Sequence, residues 1–188
     1  MTGRIYLSSP DVGDAEEAAL VRAIRSGWVA PLGPEVDAFE AELAEYCGRG
    51  HCVALSSGTA ALHLALMALL TRPKDLVVVT AYSFVATANV IALCGAQPVF
   101  VDTQPDTFNM DPNCLEKTLN RLMANTETAQ RVKAILPVHS FGQMADMPAI
   151  LDVARRYGLP VIEDAACALG AKLYGREAGT WGVMGCFS

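Results

Sequence analysis

Apolar side chains recur along the chain in two alternating rhythms. From Asp14 to Ser26 they fall at helical spacing: Leu20, Val21 and Ile24 share one face, Asp14 can cap the start with Glu17 three residues on, and Gly27 can end it. Pro34 to Tyr46 predicts a second helix, with Val36, Phe39, Leu43 and Tyr46 on one side and Gly48 after it. Short, continuously apolar runs then begin to alternate with helix patterns. Cys52–Leu55, Leu76–Val79, Pro98–Val101, Val132–Val138, Val161–Ile162 and Gly185–Ser188 predict strands. Between them, Ala60 to Leu70 and Phe84 to Cys94 predict helices, the latter closed by Gly95. A third helix starts at Asp111-Pro112, where a proline in the first turn loses no needed N–H, and continues through Leu115, Leu119 and Leu122. Pro148 to Tyr157 is the last, ended by Gly158, and Gly170–Gly175 reads as a hairpin.

Strands apolar on both sides and joined by helices imply right-handed crossovers. They predict an α/β fold with a mainly parallel sheet flanked by helices. Such sheets bind ligands at the carboxyl ends of their strands, so the residues just after each strand are the candidates for chemistry.

Composition narrows the class. The chain has 188 residues, 52% of them apolar and 18% charged, with a formal net charge of −6. That apolar content can bury a core and excludes intrinsic disorder. The negative balance argues against nucleic acid or an anionic membrane as partner. Length by itself predicts one domain, or one and part of another. The N-terminus has no apolar core of signal-peptide length, and the apolar stretch from Ala60 to Leu70 contains His63 and is too short to span a bilayer. Cys47, Cys52, Cys94, Cys114, Cys167 and Cys186 include no C-x-x-C pair, which predicts reduced, mostly buried thiols in a cytoplasmic protein.

Three post-strand motifs carry candidate chemistry. Ser56-Ser57-Gly58-Thr59-Ala60-Ala61-Leu62 joins a strand to a helix N-terminus, where free N–H groups and the helix dipole favour an anion. Gly58 permits close approach, and the Ser57 and Thr59 hydroxyls add hydrogen bonds. Plain helix capping by Ser57 accounts for the same residues equally well. No Gly-Lys-Ser/Thr follows, so this is not a Walker loop. Ile162-Glu163-Asp164-Ala165-Ala166 delivers an acid at the end of a buried strand, where an aspartate needs a cationic or hydrogen-bonding partner to stay ionised. Capping of a following helix by Asp164 is the plain alternative, and Glu163 should point to the opposite side. No cluster of acids or histidines indicates a metal. Tyr82-Ser83-Phe84-Val85-Ala86-Thr87-Ala88-Asn89 offers an aromatic ring for stacking, though a phenylalanine at a helix start is more usually core. A phosphate cradle, an aromatic plate and a carboxylate together suit pyridoxal 5'-phosphate (PLP), with the carboxylate holding the pyridine nitrogen protonated.

With these motifs the sequence resembles the DegT/DnrJ/StrS-type sugar aminotransferases, PLP enzymes of fold-type I, over essentially its whole length. The resemblance rests on Ser57–Leu62, Ser83–Asn89, Pro137-Val138-His139 with Gly142-Gln143, Ile162–Ala166, and Gly179-Thr180 with Gly185-Cys186-Phe187-Ser188, in that order. Leu7-Ser8-Ser9-Pro10 and Trp28–Pro34 are similar to the branch acting on UDP-linked 4-keto-6-deoxy amino sugars. The resemblance implies the large PLP-binding domain of fold-type I, truncated: residues 1–188 would hold an N-terminal segment and most of that domain, with the small C-terminal domain absent. It implies that Ser57, Gly58, Thr59 and Ser188 contact the cofactor phosphate, that Phe84 stacks on its ring, and that Asp164 pairs with its pyridine nitrogen. Cys167 stands where the family usually carries a polar residue near the ring oxygen, often glutamine, and Val183 where aspartate is common.

The resemblance also places the Schiff-base lysine a few residues beyond Ser188. The four lysines present are Lys74, Lys117, Lys133 and Lys172. Lys74 precedes a strand, Lys117 and Lys133 read as lying on or near polar helix ends, and Lys172 reads as a solvated charge in a hairpin. The 188-residue chain alone is therefore expected to be inactive. The complete enzyme is expected to transfer an amino group from glutamate to a keto-sugar nucleotide in polysaccharide or glycan biosynthesis, as a homodimer with Trp28 near a neighbouring subunit's substrate. A PLP-dependent sugar dehydratase of the same family, with histidine for the lysine, and a non-catalytic fragment remain as alternatives.

Overall fold

The protein is described here by a computed structural model covering residues 10–188, so of the motif at residues 7–10 only Pro10 lies within the described residues. The chain divides into two compact units. In the first, the described residues are 10–46 and 50–54. It contains α1 (Asp14–Ser26) and α2 (Pro34–Tyr46). The start of α1 differs from expectation. Gly13 is the capping residue, and the Glu16 carboxylate accepts its N–H at 2.8 Å, so Asp14 is the first helical residue and not the cap. Gly27 ends the helix in the left-handed conformation, at φ 78°. Arg22 and Glu35 pair across the two helices at 3.0 Å. The pair is exposed and contributes little. The predicted strand at Cys52–Leu55 does not form; the Ala54 N–H is taken by the Glu40 carboxylate at 2.7 Å. High β-propensity does not by itself make a strand; a paired ladder does.

The second unit comprises Cys47–Arg49 and Leu55–Ser188. In chain order it runs α3 (Gly58–Ala68), β1 (Leu76–Thr80), α4 (Val85–Leu93), β2 (Gln97–Val101), α5 (Pro112–Met123), the short α6 (Thr126–Ala129), β3 (Val132–Leu136), α7 (Met147–Tyr157), β4 (Ile162–Asp164), the hairpin β5 (Lys172–Leu173) and β6 (Arg176–Glu177), and β7 (Met184–Cys186). β1 pairs in parallel with β2 and with β3, and β4 pairs in parallel with β7. Parallel bridges Ile135↔Val161 and Val138↔Asp164 join the two ladders. Backbone bonds from Ile135 to Pro160, Asp164 to Pro137 and His139 to Asp164, each 3.0 Å, complete the seam. The strand order is thus β2-β1-β3-β4-β7, all parallel, as the expected α/β architecture requires.

Strand alternation divides the core between the two faces of this sheet. Val77, Val79, Ala134, Leu136, Ile162 and Cys186 pack with Leu62 and Leu66 of α3 and Val90 and Ile91 of α4. Leu76, Val78, Val101, Ile135 and Val161 pack on the other face with Leu115 and Leu119 of α5 and Ile150 and Val153 of α7. Double-sided burial was expected of every strand, but β2 is largely accessible. It is the edge strand, which is also why it tolerates Pro98. Among the described residues no helix is long and apolar enough to cross a membrane.

Glycines set the closest approach in the turn before β7. A Cβ on Gly182 would overlap the Val161 carbonyl oxygen, and one on Gly185 would overlap the Gly179 backbone. Gly182→Ala is expected to destabilise the protein by about 1–3 kcal/mol through overpacking. A lowered urea midpoint at constant m would show this, and an unchanged midpoint would mean that the turn can back away.

Candidate active site

The carboxyl ends of β1, β3, β4 and β7 converge on one edge of the sheet, and the predicted residues sit there. Asp164 is the last residue of β4 and only 5% exposed. Its side chain does not cap a regular helix. The Thr87 hydroxyl donates to Oδ2 at 2.7 Å, and the Ala166 N–H donates to Oδ1 at 3.2 Å. Because Thr87 spends its proton on Asp164, its oxygen accepts from the Ser83 hydroxyl, 2.6 Å away. The result is a polarised chain from Ser83 through buried Thr87 to Asp164, in which each bond strengthens the next. Sequence reasoning placed Ser83 and Thr87 in a motif but assigned them no task. Their spacing of four residues around a helix start, with a buried threonine in the apolar run of α4, was the available signal.

Ser57 caps α3 as expected: its hydroxyl oxygen accepts from the Ala60 N–H at 3.1 Å, and its carbonyl accepts from Ala61. The first-turn N–H groups of Gly58 and Thr59 then have no intrahelical acceptor. Gly58 is buried, and a Cβ there would stand 2.7 Å from the Ser188 Cβ and 3.1 Å from its Oγ. Thus Ser188, two residues beyond β7, lies against the start of α3. The fold brings Ser57, Gly58, Thr59 and Ser188 together as one cradle. β7 ties that cradle to Asp164, which pairs with Cys186 in register.

Phe84 holds the capping position of α4 with 79% of its surface exposed, so it is not core. Its turn leads directly to Thr87, whose N–H donates to the Phe84 carbonyl at 3.2 Å. Cys167 is exposed, three residues after Asp164; its carbonyl oxygen would be 3.0 Å from a Cβ on Gly142. The buried Cys186 thiol is pushed up to about 12, first by burial and then by the charges of Asp164 and Glu163. The thiols are not mostly buried, contrary to expectation: of the six, Cys186 alone is fully so.

Glu163 does face away from Asp164, and what it meets there was not foreseen. It is fully buried and accepts from His139 Nε2 at 2.9 Å, from the Gly179 N–H at 2.9 Å and from the Gly182 N–H at 2.6 Å. The lysines lie elsewhere. Lys74 is in the turn entering β1, at the amino end of the sheet, and Lys117 is within α5. Lys133 is inside β3, which begins at Val132 as expected, and so is not near a helix end. Lys172 is exposed, as its reading as a solvated charge expects, and also pairs with Glu177 across the hairpin at 2.7 Å.

Comparison with known proteins identifies the family and the fold. The family described as the DegT/DnrJ/EryC1/StrS aminotransferase family matches residues 10–188. GDP-perosamine synthase of Caulobacter vibrioides is 41% identical over 185 residues, 98% of this chain and 47% of the relative. UDP-2-acetamido-2-deoxy-3-oxo-D-glucuronate aminotransferase of Pseudomonas aeruginosa is 40% identical over 177 residues, 94% of this chain and 46% of the relative. The PLP form of Spr1654 from Streptococcus pneumoniae superposes with a TM-score of 0.85 at 34% identity, covering 98% of this chain and 48% of that one. The chain spans about half the length of the curated relatives it matches.

Two outcomes are expected at this site. Thr87→Val removes the donor to buried Asp164 at nearly constant shape and should cost about 1–3 kcal/mol in denaturant unfolding. Ser83→Ala should cost less, because it only weakens the chain at its outer end. In thiol titration of the native protein at pH 8, Cys167 should react readily and Cys186 only after unfolding, since a thiol at about 12 has almost no thiolate there. Modification of native Cys186 at the rate of Cys167 would contradict the burial.

Proposed function

The chain belongs to the DegT/DnrJ/EryC1/StrS aminotransferase family, and on that premise we propose that it forms the cofactor-holding part of a PLP-dependent sugar aminotransferase. The reaction is transfer of the amino group of glutamate to a keto-sugar nucleotide, in the line of a UDP-linked 4-keto-6-deoxy amino sugar. The observation that carries this reading is the junction of two sites on one sheet edge: a helix N-terminus closed by Gly58 and Ser188, and a buried carboxylate at Asp164. The family's use of PLP and the similarity to GDP-perosamine synthase and to a UDP-sugar aminotransferase support it.

The residues present fit the cofactor. The space beside Gly58 is one that a Cβ would fill, next to the Ser188 hydroxyl. Gly58 and Thr59 N–H groups and the Thr59 and Ser188 hydroxyls would hold the phosphate, helped by the positive end of α3. Ser57 accepts from Ala60 but keeps its own proton to donate. Phe84 offers an open ring face for stacking. Asp164 has both oxygens oriented by donors and retains acceptor capacity for a pyridine N–H, where it would hold a proton. Cys167 would stand beside the ring oxygen as a weak hydrogen-bond partner. When bound, PLP supplies the electron sink that lets an amino group leave one carbon and join another. The chain's part is to anchor, stack and keep the pyridine nitrogen protonated.

In the complete protein, residues 1–188 would constitute an N-terminal segment and most of the large domain. A cytoplasmic homodimer, with Trp28 near the neighbouring subunit's substrate, completes the proposal.

Full-length protein loaded with PLP and given ¹⁵N-labelled glutamate and a UDP-4-keto-6-deoxy amino sugar is expected to yield 2-oxoglutarate and the labelled amino sugar by mass spectrometry. Asp164→Asn should lower that turnover about a hundredfold. Loss of water from the sugar without label would favour a dehydratase instead. Failure to form 2-oxoglutarate from any keto-sugar nucleotide would overturn the transaminase reading.

A further inference from the structure

Glu163 is a completely buried carboxylate for which the proposed chemistry has no use. It sits beside Asp164 on β4, and strand alternation sends the two side chains to opposite faces of the sheet. Three donors converge on it. Oε2 accepts from His139 Nε2 and from the Gly179 N–H, and Oε1 accepts from the Gly182 N–H. The state of His139 follows from its other nitrogen. The Ala145 N–H donates to Nδ1 at 3.1 Å, so Nδ1 carries a lone pair and the proton of a neutral ring lies on Nε2, directed at Glu163. His139 also reaches Asp164, because its backbone N–H donates to the Asp164 carbonyl at 3.0 Å.

The turn held by Glu163 leads directly into β7. The Gly182 carbonyl accepts from Arg49 at 2.7 Å, the Val183 N–H donates to Val161 at 2.8 Å, and β7 then pairs Glu163 with Gly185 and Asp164 with Cys186. Gly179 and Gly185 have no room for a Cβ, so the turn cannot shift without moving β7. Ser188 follows β7 against Gly58.

We propose that Glu163 is a positioning residue of the site. Its carboxylate, tied to His139 and to the turn from Gly179 to Gly182, sets the placement of Asp164 and Ser188 relative to each other from the far face of the sheet. The inference rests on the reading of Asp164 and Ser188 as cofactor contacts. Glutamine at 163 has a single acceptor oxygen, and in either orientation its amide N–H₂ faces at least one of the three donors. Methionine at 139 removes the side-chain donor at similar size. Glutamine at 139 keeps one donor and one acceptor, as the neutral ring does.

The test is PLP binding to the full-length protein, followed by cofactor absorbance and equilibrium dialysis, alongside the thermal midpoint without PLP. E163Q and H139M are expected to raise the PLP Kd about tenfold and shift the absorbance band, whereas H139Q stays within about threefold of the unsubstituted protein. A purely structural role would lower the midpoint and leave Kd and spectrum unchanged. Unchanged Kd and spectrum in either E163Q or H139M overturn the proposal, and if E163Q fails to fold the two His139 variants decide. Nitrogen-15 NMR of His139 should report the proton on Nε2; a proton on Nδ1 overturns the network. D164N measured in parallel separates the two readings. If its cofactor binding is unchanged, the assignment of Asp164 fails, whatever Glu163 does.

Discussion

Two carboxylates adjacent in sequence are buried back to back at the end of β4, and each must find donors on its own side of the sheet. A buried carboxylate left unsatisfied costs several kcal/mol, more than a single core contact returns. That demand explains much of the surrounding architecture. Asp164 draws on the start of α4 through Thr87 and Ser83. Glu163 draws on the segment after β3 through His139 and on the turn before β7 through Gly179 and Gly182. Three separate segments are thereby fastened to one short strand.

The same demand explains the glycines around β7. Backbone N–H groups can reach Glu163 only if the turn approaches β4 closely, and neither Gly182 nor Gly185 has space for a side chain. Close approach there carries Ser188 to the N-terminus of α3, where Gly58 has also given up its side-chain space. The cradle proposed for the phosphate and the carboxylate proposed for the ring nitrogen are therefore not independent features. They are joined through the β4–β7 ladder and the close approach of Ser188 to Gly58.

Much of this was legible in the order of residues. Apolar runs identified β1, β3 and the start of β4 because strands buried on both faces carry mostly apolar side chains, and Ser57, Asp111 and Gly158 marked helix ends because their chemistry suits those positions and few others. Less was legible where a choice depended on a neighbour. Cys52–Leu55 has strand composition but no ladder, β2 has core composition but lies at an edge, and Gly13 with Glu16 displaced Asp14 as the cap of α1. The partner of Lys172 was likewise not legible until the hairpin register set Glu177 opposite it.

What the sequence determined by itself is the alternation of strands and helices, the parallel architecture that follows from it, and the post-strand positions proposed as the site. These depend on local periodicity and on the handedness of the chain, which short segments already contain. Only the tertiary structure decided which polar groups meet: Thr87 with Asp164, His139 and the Gly179–Gly182 turn with Glu163, and Ser188 with Gly58. Those partners are separated by 16 to 77 residues in the hydrogen-bonded cases, and a hydrogen bond acts over about 3 Å, so no local pattern can encode them. They are selected when the sheet closes and each buried polar group must be satisfied at once.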